Sequence, residues 1–310
     1  MKGIPTPSPS PRRGMKRIFQ GLLSGIIPSF GPEPLKGRLG LFFRTPGAWF
    51  GSLVLAVIVL MAMVGPVLFS GDPHQFDLNV SHDLQAPGDA FWFGSDDLGR
   101  DLFLRCIYAA RVSLMVGSAS MAVALLIGCG VGLLAGYIGG WVDGLLMRLV
   151  DVLMGLPMLM VLLIVQAIFK PGLGSVILII GVSGWMGIAR LVRAETMSLR
   201  ERSFVLVARA RGLSEWRVAL RHILPNAMRP VIVSAFLGIG HAILTESVLS
   251  FLGLGVQPPN VSWGGLLNNS LSFIREAPWM TLFPGGLIAL TIFSLQLVGD
   301  GLRNSLEGDR

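Results

Sequence analysis

The side chains able to do chemistry are few in this chain, and several sit where charge is expensive. Glu246 lies inside the apolar run 231–252. An ionisable group there is costly unless paired, protonated or facing water, which makes it a candidate for a path or gate across a membrane. A hydrogen-bonded anchor within a helix bundle fits equally well. A second set, Asp96, Arg100 and Asp101 with Arg105, precedes the apolar run 112–137 and is the other candidate for a path, gate or outer contact. The third is Ser203–Pro225, SFVLVARARGLSEWRVALRHILP, basic and partly amphipathic between two apolar runs. Ala208 and Ala210 cluster before Gly212, which suits a helix C-terminus because it takes a left-handed conformation without a Cβ clash. Ser214 is placed to cap a second helix, with Glu215 facing its positive end. Leu213, Trp216, Leu220, Ile223 and Leu224 fall on one face of that helix, and Arg217 and Arg221 fall off it. Pro225 disfavours helical geometry at the residue before it and is expected to end the unit. The segment is either a helix resting on a membrane surface or a docking element for a soluble partner.

Other chemistry is missing from the sequence. The lysines are Lys2, Lys16, Lys36 and Lys170, and none stands in a phosphate-binding Gly-Lys-Ser/Thr loop, so the chain is not expected to hydrolyse ATP. Neither a GxSxG elbow nor an HExxH helix is present, and no catalytic residue is expected. His74, His82, His222 and His241 are scattered, so no metal site is expected. Cys106 and Cys129 would stand tens of ångströms apart on a helix rising ~1.5 Å per residue, too far to bridge. A passive channel would need a filter loop or charged rings, which are not evident.

These residues must be positioned by elements suited to lipid. Hydrophobic residues make up 52% of the 310 and charged ones 14%, against about 25% charged in a soluble domain. The fold class read from this is all-α and polytopic, with six spans at about 49–69, 112–137, 145–169, 176–191, 231–252 and 280–298. A basic N-terminal segment is expected over 1–45, the membrane domain over 46–303 and a tail over 304–310. No small-residue cleavage site cleanly follows the first long apolar run, which disfavours a secretory leader. The formal net charge is +7, and its Arg residues lie beside apolar spans, which makes nucleic acid a poor partner. Arg190–Arg229 is the largest basic stretch between spans and is expected on the cytoplasmic side, with both termini. Asp72, Asp77, Asp83, Asp89 and the Asp96–Asp101 group mark an outer loop. Gly128, Gly132 and Gly136 form a stripe that lets another helix approach. Pro157 is expected to kink the third span, and Arg148 and Asp151 are placed to pair on it.

Three stretches carry a family resemblance. Ala208-x3-Gly212 followed by Ile223-Leu224-Pro225 resembles the cytoplasmic EAA loop of bacterial ABC importer permeases, with Leu206 and Val207 where its leading Glu and Ala usually stand. Phe93-Gly94-Ser95-Asp96-Asp97-Leu98-Gly99-Arg100-Asp101 is similar to a signature before the second span of the C-type permease of dipeptide and oligopeptide importers. Glu246-Ser247-Val248-Leu249-Ser250-Phe251-Leu252-Gly253-Leu254-Gly255, running on to Ser262-Trp263-Gly264, is similar to that family's fifth-span signature. The resemblance covers Pro46 to Gly301.

It implies the type I ABC importer permease fold in the bacterial inner membrane, with a cytoplasmic coupling helix. It also implies a heterodimer with a homologous B-type permease, two ABC ATPase subunits that bind ATP and Mg, and an extracytoplasmic substrate-binding protein. No cofactor is implied in this chain itself. Ala208, Ala210, Gly212, Leu213, Trp216, Leu220, Ile223, Leu224 and Pro225 would form the ATPase-docking segment. The implied activity is import of dipeptides or oligopeptides by alternating access. Relatives that carry nickel chelates or glutathione are the alternative, and an ion-coupled secondary transporter using Glu246 is the reading from a different class.

Overall fold

The computed structural model describes residues 42, 45–69, 84–169 and 172–307. Most of the basic segment expected over 1–45, the acids Asp72, Asp77 and Asp83, and the tail beyond 307 lie outside these residues. In chain order the helices are α1 Pro46–Leu68, α2 Leu102–Ile138, α3 Gly140–Met154, α4 Met158–Ile168 and α5 Leu173–Arg200. They continue with α6 Ser203–Ala210, α7 Glu215–Val218, a π turn Ala219–Ile223, α8 Leu224–Phe251, α9 Trp263–Ser270 and α10 Trp279–Glu307. Among the described residues there is no strand, only an isolated bridge between Ser95 and Asp101.

Among the described residues, five rods are long and apolar enough to cross a membrane: α1, α2, α5, the continuous stretch Glu215–Phe251, and α10. A sixth exists if α3 and α4 are counted as one bent span. That pair departs from the single rod expected over 145–169. α3 stops at Met154, Pro157 stands just before α4, and the two axes differ by 84°. Proline supplies no N–H and its ring crowds the preceding turn, so the helix restarts rather than continues.

The pairing expected of Asp151 with Arg148 is not what forms. Asp151 pairs with Arg190 of α5, while Arg148 is exposed. Asp143 likewise takes the fork of Arg193, with the Nη2–Oδ2 bond at 2.6 Å. Two arginines one turn apart on α5 thus hold α3 along it.

α2 begins well before the expected residue 112. Asp101 accepts from the N–H groups of Phe103 (2.8 Å) and Leu104 (3.4 Å) and so caps the helix. The charge that argued for a loop, Arg105, is paired by Asp96 inside the bundle. At the other end Gly139, with φ +72°, turns the chain directly into α3.

The glycine stripe seats α2 on α5. A Cβ on Gly132 would lie 2.5 Å from the carbonyl oxygen of Ala189, and one on Gly128 only 2.8 Å from that of Trp185. Any larger residue would have to push backbone apart. Trp185, Ile188, Ala189 and Val192 of α5 then form a core with Met121 and Leu133 of α2, extended by Val205, Val218 and Ile223.

Pro225 does not end the basic unit as expected. The N–H of Leu224 bonds to the carbonyl of Ala219, a five-residue step that shifts the helical register by one. Pro225 then follows the π turn directly, where the widened turn accommodates its ring and its missing N–H. The second helix of the basic segment is therefore the start of the fifth long rod.

Candidate functional site

The residues singled out by sequence fall into three separate clusters. The first is the corner made by α6, α7 and the π turn. Gly212 has φ +79°. The N–H of Leu213 bonds back to Ala208 O (3.3 Å) and that of Gly212 to Arg209 O (2.8 Å), the paired bonds of a helix stopped by a left-handed residue. Ser214 sits at the start of α7 with extended geometry, but its side chain makes no capping bond. The apolar face expected there is split in two. Ala208, Val218, Ala219 and Ile223 are buried against the core, with Leu213 and Leu224 half-buried. Trp216 and Leu220 are 59% and 53% exposed, beside exposed Leu206, Val207, Ala210 and Pro225. One side of the corner is anchored to its own helices and the other presents an apolar patch.

Sequence reasoning missed what pins this corner. The Tyr137 hydroxyl, at the end of α2, donates to Glu215. Arg209 donates to the same hydroxyl at 3.2 Å, pairs with Glu215 at 3.1 Å, and stacks 5.5 Å from the Tyr137 ring centre. Arg200 closes the group by donating to Tyr137 O at 3.0 Å. The bridge is largely exposed and worth little by itself. Its effect is to fix α6 and α7 to α2. The signal was weak, since Tyr137 is 78 residues from Glu215.

The second cluster lies ahead of α2. Asp96 is almost wholly buried and uses both oxygens. Oδ1 accepts from the N–H groups of Leu98 and Arg100, each at 2.9 Å. Oδ2 accepts from Arg100 Nε and Arg105 Nη1, each at 2.7 Å. Ser95 O takes the indole N–H of Trp279 at 3.1 Å, which ties the loop to the start of α10. Asp96, Arg100 and Asp101 are thus brought together, with Asp96 as a two-arginine hub and Asp101 as a helix cap.

The third cluster surrounds Glu246, which is fully buried between α2, α8 and the loop after α8. Ser250 Oγ donates to Oε1 at 2.6 Å and Ser113 Oγ lies 3.4 Å from Oε2. Behind them, Ser250 Oγ accepts from Val256 N (3.1 Å) and from Ser262 Oγ (3.3 Å). Ser113 Oγ accepts from Trp263 N at 3.2 Å, and Ser262 Oγ from Gly265 N, also at 3.2 Å. Every arrow in this network ends on the Glu246 carboxylate, which acts as the acceptor for a loop and two helices. Ser250, one turn along from Glu246, was legible as a partner; Ser113 was not.

The network makes Glu246→Ala and Glu246→Gln distinguishable. Alanine leaves the Ser113 and Ser250 donors without an acceptor, at about 1–3 kcal/mol for each buried group. Glutamine keeps one acceptor oxygen, so its melting temperature in detergent should fall between those of wild type and alanine. Equal melting of all three would show that the network carries no stability.

With this geometry in view, the relatives become informative. The family model described as "binding-protein-dependent transport system inner membrane component" matches residues 128–307. The chain belongs to that family. A second model, the "N-terminal TM domain of oligopeptide transport permease C", matches residues 39–87 and marks it as a C-type permease. It is 41% identical over 257 residues to the dipeptide transport system permease protein DppC of Alkalihalophilus pseudofirmus, covering 83% of this chain and 84% of that one. It is 37% identical over 263 residues to the oligopeptide transport system permease protein OppC of Bacillus subtilis, covering 84% and 85%. It is 37% identical over 280 residues to the di/tripeptide transport system permease protein DppC of Pseudomonas aeruginosa, covering 89% and 92%. The permease is a multi-pass inner-membrane protein, and its family works with ABC transporter partners.

Proposed function

We propose that this permease imports dipeptides or oligopeptides by alternating access, as a non-catalytic subunit driven by ATP bound elsewhere. Its partners on this reading are a homologous B-type permease, two ABC ATPase subunits that hold ATP and Mg, and an extracytoplasmic binding protein. α3 and α4 together form one broken span, which makes six, and the Arg-rich corner and both termini lie in the cytoplasm.

The observation that carries the proposal is the corner of α6 and α7. It is anchored on one side by Val218, Ala219 and Ile223 and leaves Trp216, Leu220, Leu206 and Val207 exposed on the other. A chain with no phosphate-binding loop needs its power from outside, and a rigid exposed apolar patch suits a groove on an ATPase. The names of the relatives support the peptide class. The internal bonding of Glu246 to Ser113 and Ser250 supports a packing role for it over an ion-coupled one.

Purification of the tagged permease from cells tests the whole reading. A P-loop ATPase should co-purify, and proteoliposomes holding the complex should take up peptide only with ATP. Ion-driven uptake by this chain alone would overturn it.

Gly212→Trp gives a sharper result. The left-handed backbone costs about 1–2 kcal/mol for an ordinary residue, and no atom of the described residues lies within 4 Å of a Cβ there, so the indole would project outward. The variant should insert normally, hydrolyse ATP and import little. Wild-type uptake at wild-type expression would count against docking at this corner.

A further inference from the structure

A cavity of about 430 Å³ opens between α2, the α3–α4 bend, α5 and α8, apart from all three clusters. Its wall is mostly apolar but carries polar side chains at a depth where polarity is expensive. His241, Thr245, Ser120 and Ser183 line it, and His241 lies within the apolar run 231–252. Imidazole at that depth is expected to face a bundle interior or a water-filled space.

Of the four hydroxyls on this wall, Ser120, Ser183, Ser234 and Thr245, three have committed protons, and that of Ser234 is left to the cavity. Ser120 donates to Ile177 O at 3.1 Å, Ser183 to Ile180 O at 2.8 Å, and Thr245 to His241 O at 2.8 Å. Each of these three hydroxyls therefore offers the cavity lone pairs. His241 Nδ1 lies 3.4 Å from Thr245 Oγ1, whose proton is spent. In neutral imidazole one ring nitrogen carries the proton and the other is a further acceptor. Among the described residues, none lining the cavity is Asp, Glu, Lys or Arg.

The remaining wall is bare or deformable. Gly184 and Gly187 expose backbone, and no atom lies within 4 Å of a Cβ built on Gly187. Met121, Met154 and Met158 add flexible thioethers that conform to varied shapes.

We propose that this cavity is the permease's own wall of the translocation path, and that His241 makes it selective for donor-rich, ammonium-bearing chains. The inference rests on the peptide-import reading above. A peptide brings a cationic amino terminus and a row of N–H donors, which match a neutral surface of acceptors. The surface holds no fixed charge to trap a passing ion, and its methionines tolerate different side chains.

Two substitutions in the reconstituted importer, complete with its ATPases, partner permease and binding protein, test this. His241→Arg places a fixed positive charge on the wall. It should depress uptake of Lys-Lys relative to Ala-Ala by on the order of tenfold, since like charges a few ångströms apart repel by more than 1.4 kcal/mol at an effective dielectric of about 20. His241→Gln keeps an acceptor and should retain the wild-type ratio. Gly187→Phe adds bulk to the cavity from a position whose Cβ meets open space, and should depress uptake of Phe-Phe several-fold more than that of Ala-Ala. Competition for the binding protein is measured separately, so that a changed ratio reports the permease. If His241→Arg fails to insert, Gly187→Phe carries the test. Wild-type selectivity in both variants, with normal assembly, overturns the inference and leaves peptide import standing. A wild-type complex that moves no peptide overturns both.

Discussion

Replacing Asp96 by alanine is expected to destabilise the permease by about 3–5 kcal/mol, the usual cost of stranding a buried charge. Arg105 is 4% exposed, and its guanidinium meets Asp96 at 2.7 Å. Without the carboxylate it has no water to turn to. Arg100 and the N–H groups of Leu98 and Arg100 lose their acceptor in the same step. A loss of this size is a large fraction of the 5–15 kcal/mol that holds a typical domain. The folded yield after detergent extraction should drop sharply, with a clear fall in melting temperature. Asn at 96 should recover only the turn, because its Oδ1 still accepts from Leu98 and Arg100 while its amide faces two donors. Adding Arg105→Leu to the alanine variant should restore much of the stability by removing the stranded charge. A single alanine variant that melts like wild type would refute the hub.

The largest functional loss is expected from Trp216→Ala combined with Leu220→Ala. Both side chains are mostly exposed, so their removal should leave the melting temperature of the isolated permease nearly unchanged. Buried aromatic anchors at interfaces often contribute 2 kcal/mol or more, about 30-fold in affinity, so ATPase capture should fall by at least that factor and ATP-driven uptake with it. Ile223→Ala on the buried side is the contrast. It should cost about 2–5 kcal/mol in stability, because it hollows the core beneath the corner. If the double variant binds ATPase as wild type does, the exposed patch has another purpose.

How far the sequence could be read depended on whether an interaction was local. Gly212 was legible because a positive φ is set within a few residues, whereas Asp101 was not read as a helix start, because Arg105 argued for a loop there. The Gly128–Gly136 stripe was legible as a packing face, but its partner was not; spacing along one helix carries no address for the other. The Ser113–Glu246 contact spans 133 residues, so only the cost of a lone carboxylate in apolar surroundings pointed to it. Trp216 and Ile223 were assigned to one stripe on a regular helical period. The π turn between them broke that period, and one side chain now faces out while the other is buried. Pro225 was misread for the same reason, since a shifted register makes a proline harmless. Asp151 was assigned to its neighbour on the same helix, Arg148, because Arg190 comes within reach only once α3 lies along α5.

The π turn also has a mechanical meaning. Because the helix runs unbroken from Glu215 to Phe251, the corner and the fifth span form a single lever about 55 Å long at 1.5 Å per residue. No glycine occurs between Gly212 and Gly238 to act as a free pivot. Pro225 and Pro230 lie along it and are where it would bend, so a sideways push on Trp216 divides between a bend there and tilt at the far end, where Glu246 grips the loop that leads into Trp263.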